Sequence, residues 1–161
     1  MIRPAQPGDG PALKKIQDES VRTLCRNDYS PEHIAVWTAG PNEQYEQNIQ
    51  TCPLFLVYED SDTLLGYICL KRNLSIWQLY VHPKATGQGI GKALLEAAEA
   101  YIFAKGCDRA IAHASLTAIN FYEHCGYRVV EHVKTPIGNL EFDAITVEKI
   151  RPPSIRLTHT P

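Results

Sequence analysis

The sequence has few of the features that mark membrane, secreted or nucleic-acid-binding proteins. No apolar stretch approaches the ~20 residues that a membrane-spanning helix needs. The first residues, MIRPAQPGDG, carry neither a basic segment nor an apolar run, so we expect no secretory signal. Sixteen Lys and Arg residues nearly balance eighteen Asp and Glu residues, whereas nucleic-acid binding calls for a clustered basic excess. We therefore expect a cytoplasmic protein that binds neither a membrane nor a nucleic acid.

Paired cysteines are missing as well. A disulfide framework or a zinc site would need cysteines in pairs or clusters. The five cysteines here are odd in number, widely spaced and never arranged as CxxC: Cys25, Cys52, Cys69, Cys107 and Cys125. We therefore predict reduced cysteines and no bound metal.

The composition is otherwise that of a folded globular domain. Charged residues make up 21% and hydrophobic residues 44% of the 161 residues, which is enough for one domain with a sizeable core. The final segment, RPPSIRLTHTP, is proline-rich and polar, and we expect its end to be loose. We predict one domain over residues 1–150, followed by a tail over residues 151–161.

Helix and strand signals alternate irregularly along the chain. A short strand at the N-terminus precedes helix starts at Asp9 and Ser30, each followed within two residues by a proline. Three β-like runs separated by short turns then predict an antiparallel meander. A strong helix stops at Gly106, and a strand, a short helix stopping at Gly126 and a hairpin turning at Gly138 follow it. This order predicts an α+β fold with a central, mostly antiparallel sheet.

The segment GQGIGKA, residues 87–93, carries a glycine at every second position from Gly87 to Gly91. It is not a P-loop, because Ala93 stands where the magnesium-binding hydroxyl belongs, and its spacing differs from the GxGxxG of dinucleotide sites. A loop that only turns a corner would not need three glycines, each costing about 0.5–1 kcal/mol relative to Ala. Glycines before a helix let backbone N–H groups approach an anion, and the helix N-terminus adds roughly half a positive charge. The pattern predicts a pyrophosphate bound by main chain without a metal.

Two segments, LYVHPKATGQGIGKALLEAA and ASLTAINFYEHCGY, together resemble the two best-known motifs of the GNAT superfamily of N-acetyltransferases. LYVHPKATGQGIGKALLEAA resembles the family's V-x-P…Q/R-x-x-G-x-G/A segment, which holds the pyrophosphate of acetyl-CoA, and ASLTAINFYEHCGY resembles its A-x-x-F/L-Y-x-x-x-G-F/Y segment. With IRPA near the start and ITVEKI near the end, the resemblance spans about residues 1–150. It implies the GNAT fold, a mostly antiparallel mixed sheet of about six or seven strands flanked by about four helices. It also implies acetyl-CoA as the co-substrate.

Matched residue by residue, the resemblance implies where acetyl-CoA binds. The backbone at the end of the fourth strand would pair with the pantetheine arm as an added strand would, and the glycine segment would surround the pyrophosphate. Two positions depart from the family pattern and keep only a hydroxyl: Thr86 replaces Gln or Arg, and Ser115 replaces Asn. The implied cofactor-binding residues are Leu79, Tyr80, Val81, Gly87, Gln88, Gly89, Ile90, Gly91, Lys92 and Ser115.

Tyr122 is the candidate catalytic residue. On a helix over residues 116–125 it shares the inward face with Phe121, which we predict to be a core residue. From the residues alone, a packed tyrosine with a satisfied hydroxyl is the simpler interpretation. The resemblance instead implies a general acid that protonates the departing thiolate. Cys125, one helical turn away, is the cysteine expected nearest the site, and direct transfer predicts that no cysteine is acetylated.

The residues leave the general base open. Glu141 and Asp143 share a side of the last strand with two apolar residues, and an apolar surrounding would raise the pKa of a carboxyl. A solvated strand end is the simpler interpretation of both. His113 and His132 are further candidates, although a lone histidine on a strand is more often structural.

The acceptor is expected to meet the early helices and the last hairpin. The candidate substrate-binding residues are Tyr29, His33, Trp37 and Glu141, although a capped helix with Trp37 in the core would explain that segment equally well. The near-neutral charge and the lack of an acidic stretch favour a small-molecule primary amine over a protein N-terminus or lysine. The alternative from another class is a non-catalytic module that binds acyl-CoA or a partner, which has no use for Tyr122. We expect a monomer or a homodimer.

Overall fold

The computed structural model describes residues 1–153. The predicted looseness at the end of the tail concerns residues 154–161, which lie outside the described residues. One seven-stranded sheet organises the rest, in the order β1-β2-β3-β4-β5-β7-β6. Its strands are β1 (Ile2–Pro4), β2 (Phe55–Asp60), β3 (Thr63–Leu70), β4 (Ile76–Val81), β5 (Arg109–Ser115), β6 (Arg128–Ile137) and β7 (Leu140–Ile150).

Neighbouring strands run antiparallel everywhere except between β4 and β5. The described residues form five α-helices, one more than the approximate number expected: α1 (Gly10–Leu24), α2 (Pro31–Trp37), α3 (Asn42–Thr51), α4 (Ile90–Ala104) and α5 (Ile119–His124). Two 3-10 turns, Pro83–Ala85 and Leu116–Ala118, precede α4 and α5. The predicted α+β class, the meander and the final hairpin are confirmed.

The helix starts follow the sequence signals, with one difference. The Ser30 side chain caps α2 by accepting the His33 backbone N–H, as predicted. Asp9 stands at the N-cap of α1 but makes no side-chain cap there. Its carboxylate instead pairs with Arg3 at 3.0 Å, tying the first strand to the first helix.

Apolar residues fill both faces of the sheet. On one face α4 packs over a core that includes Ile68, Leu70, Leu94, Leu95, Ile102, Ile145 and Val147. On the other face α1 and α3 cover β2 and β3 through Leu13, Ile16, Tyr45, Phe55, Val57, Tyr67 and Cys69. The two layers fix the last turn of α1 and the first turn of α4 near the same end of β4, where the candidate site lies.

The five cysteines are all free thiols, with Cys25 and Cys69 buried. Among residues 1–153, no group of three or more His, Cys, Asp or Glu residues is arranged to hold a metal ion. Within the same range, no helix combines the length and the apolar character that a membrane span would require.

Candidate active site

The sheet has a gap between β4 and β5. The two strands run parallel and pair only at Ile76 and Ala112. By contrast, β4 pairs with β3 as far as Val81, and β5 pairs with β7 as far as Ser115. Beyond Ile76, the edge of β4 that faces β5 therefore has backbone groups without a strand partner among the described residues. An extended ligand arm could add to this edge as another strand would.

A cavity of about 450 Å³ occupies this gap. Tyr122 lines it together with nine of the ten predicted cofactor-binding residues: Leu79, Tyr80, Val81, Gly87, Gly89, Ile90, Gly91, Lys92 and Ser115. Gln88 is the exception, because it is exposed and lies outside the lining. The structure thus brings the predicted residues together around one space, while their contacts with a cofactor stay predictions.

The three glycines of the loop have two different structural reasons. Gly87 and Gly89 have φ angles of 78° and 81°, in the left-handed region that other residues rarely adopt. An added Cβ at either would meet nothing within 4 Å, so both backbones face open space. Gly91 has an ordinary φ, but its Cβ would lie 3.2 Å from Cε2 of Phe121. Two glycines therefore shape the loop, and the third lets α4 pack closely against α5.

The first turn of α4 supplies a positive end to the cavity. The first helical hydrogen bond runs from Ala93 N–H to the Gly89 carbonyl at 3.0 Å. The N–H groups of Ile90, Gly91 and Lys92 precede it and have no acceptor within the helix. The Lys92 side chain is 67% exposed, and Lys92 is the one charged residue in the lining over residues 1–153. Free N–H groups, the helix dipole and an ammonium together favour an anion here.

Thr86 also lines the cavity, but its hydroxyl is already engaged. It donates to the Pro83 carbonyl at 3.1 Å and so closes the 3-10 turn before the glycine loop. The hydroxyl that replaces the longer Gln or Arg of the family pattern therefore stabilises the loop itself. Anion contacts in this loop depend on main-chain groups and on Lys92.

Tyr122 lies at the wall of the same cavity. Its side chain is only 4% exposed, and its ring packs edge-on against Phe121 and Tyr127 at centroid distances of 5.3 and 5.2 Å. Among residues 1–153 its hydroxyl has no hydrogen-bond partner in the protein, so the choice between a packing role and a catalytic role stays open. Burial, and secondarily the Cys125 thiol, raise the pKa of Tyr122. The phenol therefore keeps its proton at neutral pH.

A buried charged group holds the ring that supports Tyr122. The Tyr127 hydroxyl donates to the Glu99 carboxylate at 3.0 Å, and the Lys149 ammonium lies 3.2 Å from the same group. Lys149 compensates the negative charge of the buried Glu99 carboxylate, and Tyr127 satisfies one of its hydrogen bonds. Tyr127 is thereby fixed against the Tyr122 ring.

The candidate acceptor residues form a cluster beside the cavity rather than on it. Tyr29, His33 and Trp37 surround the Phe142 ring at centroid distances of 5.9, 4.6 and 5.7 Å. The exposed Glu141 contributes its backbone carbonyl, which accepts a hydrogen bond from His33 Nε2 at 2.8 Å. None of these four lies in the lining of the cavity described above, so direct contact with a substrate stays a prediction.

The structure adds lining residues that the sequence did not indicate. Ser20 and Leu24 at the end of α1 and Cys25 directly after it form one wall, and Thr117 and Phe121 form another. Phe121 is therefore both a packing residue and a wall residue. Cys125 lies close enough to Tyr122 to raise its pKa, but Cys25, which the sequence did not indicate, is the cysteine that lines the cavity. The α1 wall has only a helical apolar pattern in sequence, which does not reveal what the helix faces.

The candidate bases stay outside the cavity. Asp143 is exposed and pairs with Lys134 at 3.0 Å, and Glu141 is exposed as well, as in the interpretation of a solvated strand end. His113 lies beside Thr146, where burial lowers its pKa. No residue of this group is placed to take a proton from an amine in the cavity, and the general base stays unassigned.

Comparison with known proteins identifies the family. A model of the acetyltransferase (GNAT) family matches residues 22–127. The chain belongs to the GNAT family of acetyltransferases. The peptidyl-lysine N-acetyltransferase YiaC of Escherichia coli (strain K12) is 27% identical over 136 residues, covering 81% of this chain and 85% of that protein.

Solved structures of GNAT proteins share the whole architecture. A GCN5-related N-acetyltransferase from Rhodopseudomonas palustris has a TM-score of 0.89 with 26% identity, covering 94% of this chain and 95% of that one. The PaiA N-acetyltransferase from Thermoplasma acidophilum, solved in complex with coenzyme A, has a TM-score of 0.79 with 26% identity, covering 94% and 98%. The expected GNAT fold is confirmed, and the chain is an N-acetyltransferase.

Proposed function

We propose that this GNAT acetyltransferase moves an acetyl group from acetyl-CoA directly to a primary amine of a small molecule. The observation that carries the proposal is the continuous cavity, which is lined by the positive glycine loop at one end and by Tyr122 at the other. One end suits a pyrophosphate and the other offers a proton donor. The coenzyme A bound to the PaiA relative supports the choice of donor.

Each end of the cavity has a task in binding the donor. The Leu79–Val81 backbone would hydrogen-bond the pantetheine arm along the edge of β4 that faces β5, with one N–H directed at the thioester oxygen. The Gly87–Lys92 segment would hold the pyrophosphate through main-chain N–H groups, and Ser115 would contact the arm from the opposite wall. Within the described residues no carboxylate lines the cavity, and the nearest acidic partner of Lys92, Glu96, lies 3.9 Å from the ammonium and outside the lining.

The transfer replaces the C–S bond of the thioester by the C–N bond of an amide. The amine nitrogen attacks the thioester carbonyl carbon, the C–N bond forms, the C–S bond breaks, and the thiolate leaves with the bonding pair. Tyr122 gives the thiolate its proton, the amine nitrogen loses its proton to water, and the phenolate regains a proton from water, so the cycle balances. A phenol keeps its proton throughout the neutral range, and burial raises the pKa of Tyr122 further, so the hydroxyl is protonated when the thiolate leaves.

The face where α2 meets β7 is closed, which supports a small acceptor. His33 binds the Glu141 carbonyl, and an added Cβ at Gly138 in the hairpin would lie only 3.0 Å from Val36 on α2. A polypeptide would need an open groove between these elements. The YiaC relative is a peptidyl-lysine N-acetyltransferase, so a lysine side chain of a protein is the second candidate.

A thiol-release assay with acetyl-CoA separates these candidates. We expect small primary amines to give higher kcat/KM than lysine-containing peptides or protein substrates. Higher kcat/KM with peptides would contradict the small-molecule acceptor and favour the second candidate. Tight binding of acetyl-CoA with no thiol release for any amine would instead indicate a module that only binds the cofactor.

Replacing the cavity cysteine should leave turnover intact. Burial raises the pKa of the Cys25 thiol, so little of it is the nucleophilic thiolate at neutral pH. We expect Cys25→Ala to keep kcat within about threefold of the parent, a much smaller change than the removal of an activated nucleophile would cause. Cys125→Ala, outside the cavity, is the matched control. A folded Cys25→Ala protein without activity, or an acetylated cysteine detected by mass spectrometry, would contradict direct transfer.

A further inference from the structure

The turn between α1 and α2, residues 25–30, reaches across the fold to the segment that carries Tyr122. The Tyr29 hydroxyl accepts the Leu116 N–H at 3.0 Å and donates to the Asp143 carbonyl at 2.6 Å. Beside it, the Thr117 hydroxyl donates to the Asp28 carboxylate at 2.7 Å. Two neighbouring residues of the turn therefore hold two neighbouring residues that follow β5.

The Leu116 N–H is a group that needs an outside acceptor. Leu116 is the first residue of the 3-10 turn that runs into α5, and the first N–H groups of a helical segment have no acceptor of their own. Ser115, the residue before it, makes no side-chain cap. The Tyr29 hydroxyl supplies that acceptor from a part of the chain 87 residues away.

The Tyr29 hydroxyl is itself held on both sides. Its ring packs edge-on against Trp37 at 5.2 Å and lies against Phe142 at 5.9 Å. Its second bond, to the Asp143 carbonyl, anchors it to β7. The position of the hydroxyl is therefore set by α2 and β7 together, independently of the segment that it holds.

We propose that Tyr29 is a positioning residue for the acetyl transfer, because its hydroxyl fixes the 3-10 turn Leu116–Ala118 and through it Tyr122. Thr117, Ala118 and Tyr122, which belong to this turn and to α5, line the cavity, so a shift of the turn moves their side of the cavity, while Ser115 is held by β5. Helical continuity carries the shift from Leu116 to Tyr122 within about two turns. The inference rests on the proposed role of Tyr122 as the acid.

The test is Tyr29→Phe, which removes the hydroxyl and keeps the ring among its aromatic neighbours. A misplaced catalytic group costs up to about 100-fold, so we expect kcat to fall about 10- to 100-fold while KM for acetyl-CoA stays within about threefold. Tyr101→Phe is the matched control, because it removes one tyrosine bond to a backbone carbonyl, that of Pro53, outside the cavity lining. It should leave kcat unchanged.

A double-mutant cycle then shows whether Tyr29 acts through Tyr122. In a Tyr122→Phe background, Tyr29→Phe should cause no further loss of kcat, because the acid that it positions is gone. Equal losses in both backgrounds would overturn the positioning role. So would a folded Tyr29→Phe protein with normal kcat beside an impaired Tyr122→Phe protein.

If the proposed function itself were wrong, the kinetic result would differ. Normal turnover in Tyr122→Phe alone would overturn the acid assignment, whatever the Tyr29 variant does. If Tyr29→Phe does not fold, Asp28→Ala removes the neighbouring tie through an exposed side chain and should also lower kcat, by a smaller factor. Unchanged kcat in Asp28→Ala would then count against the positioning role of the turn.

Discussion

Tyr122→Phe should lower kcat by about 10²–10⁴-fold, the usual contribution of a positioned general acid. The ring and its contacts with Phe121 and Tyr127 survive the change, so the affinity for acetyl-CoA should stay nearly constant. The melting temperature should also stay constant, because the hydroxyl has no hydrogen-bond partner among residues 1–153. Steady-state kinetics, calorimetry and thermal unfolding on one preparation measure all three.

Two comparisons make this experiment specific to proton donation. A thioester with a more acidic thiol needs its proton less, so the loss in Tyr122→Phe should shrink with such a donor. Tyr45→Phe is the matched control: Tyr45 is also buried, but its hydroxyl binds Gln17 in the other core. We expect that control to lose about 1 kcal/mol of stability and to keep its turnover. Normal kcat in Tyr122→Phe would return that residue to a packing role.

Gly89→Val should lower the affinity for acetyl-CoA by about 100-fold or more. Gly89 faces open cavity with a left-handed backbone, and valine is a residue that strongly avoids this conformation. The loop would have to change shape, and the N–H groups of the first turn of α4 would lose their alignment. Losing two hydrogen bonds to a charged group at about 1.5–3 kcal/mol each accounts for a loss of this size. Calorimetry without added magnesium measures the affinity.

Gly106→Val provides the matched control for backbone strain. Gly106 also has a left-handed φ, 89°, and open surroundings, but it follows the C-terminal end of the same helix. Both variants should therefore lose similar stability, whereas only Gly89→Val should lose acetyl-CoA. Undiminished affinity in a folded Gly89→Val protein would contradict the assignment of the pyrophosphate to this loop.

Local signals predicted the elements because local physics produces them. Ser30 and Pro31 start α2, Gly106 and Gly126 end α4 and α5 in left-handed conformations, and Gly138 turns the last hairpin. Each of these helix ends and turns depends on a cap or a φ angle that a few neighbouring residues determine. Asp9 shows the limit of such signals, because an ion pair with Arg3 replaced the expected side-chain cap.

The sequence by itself determined the glycine loop, the helix that follows it and the inward face that carries Tyr122, since spacing along one chain defines all three. Only the tertiary structure decided what completes the cavity. The parting of β4 from β5, the wall formed by the end of α1, and the bond from Tyr29 to Leu116 join segments far apart in the chain. Periodicity indicates which side of an element is buried but not which partner covers it, because the partner is chosen by packing over the whole sheet.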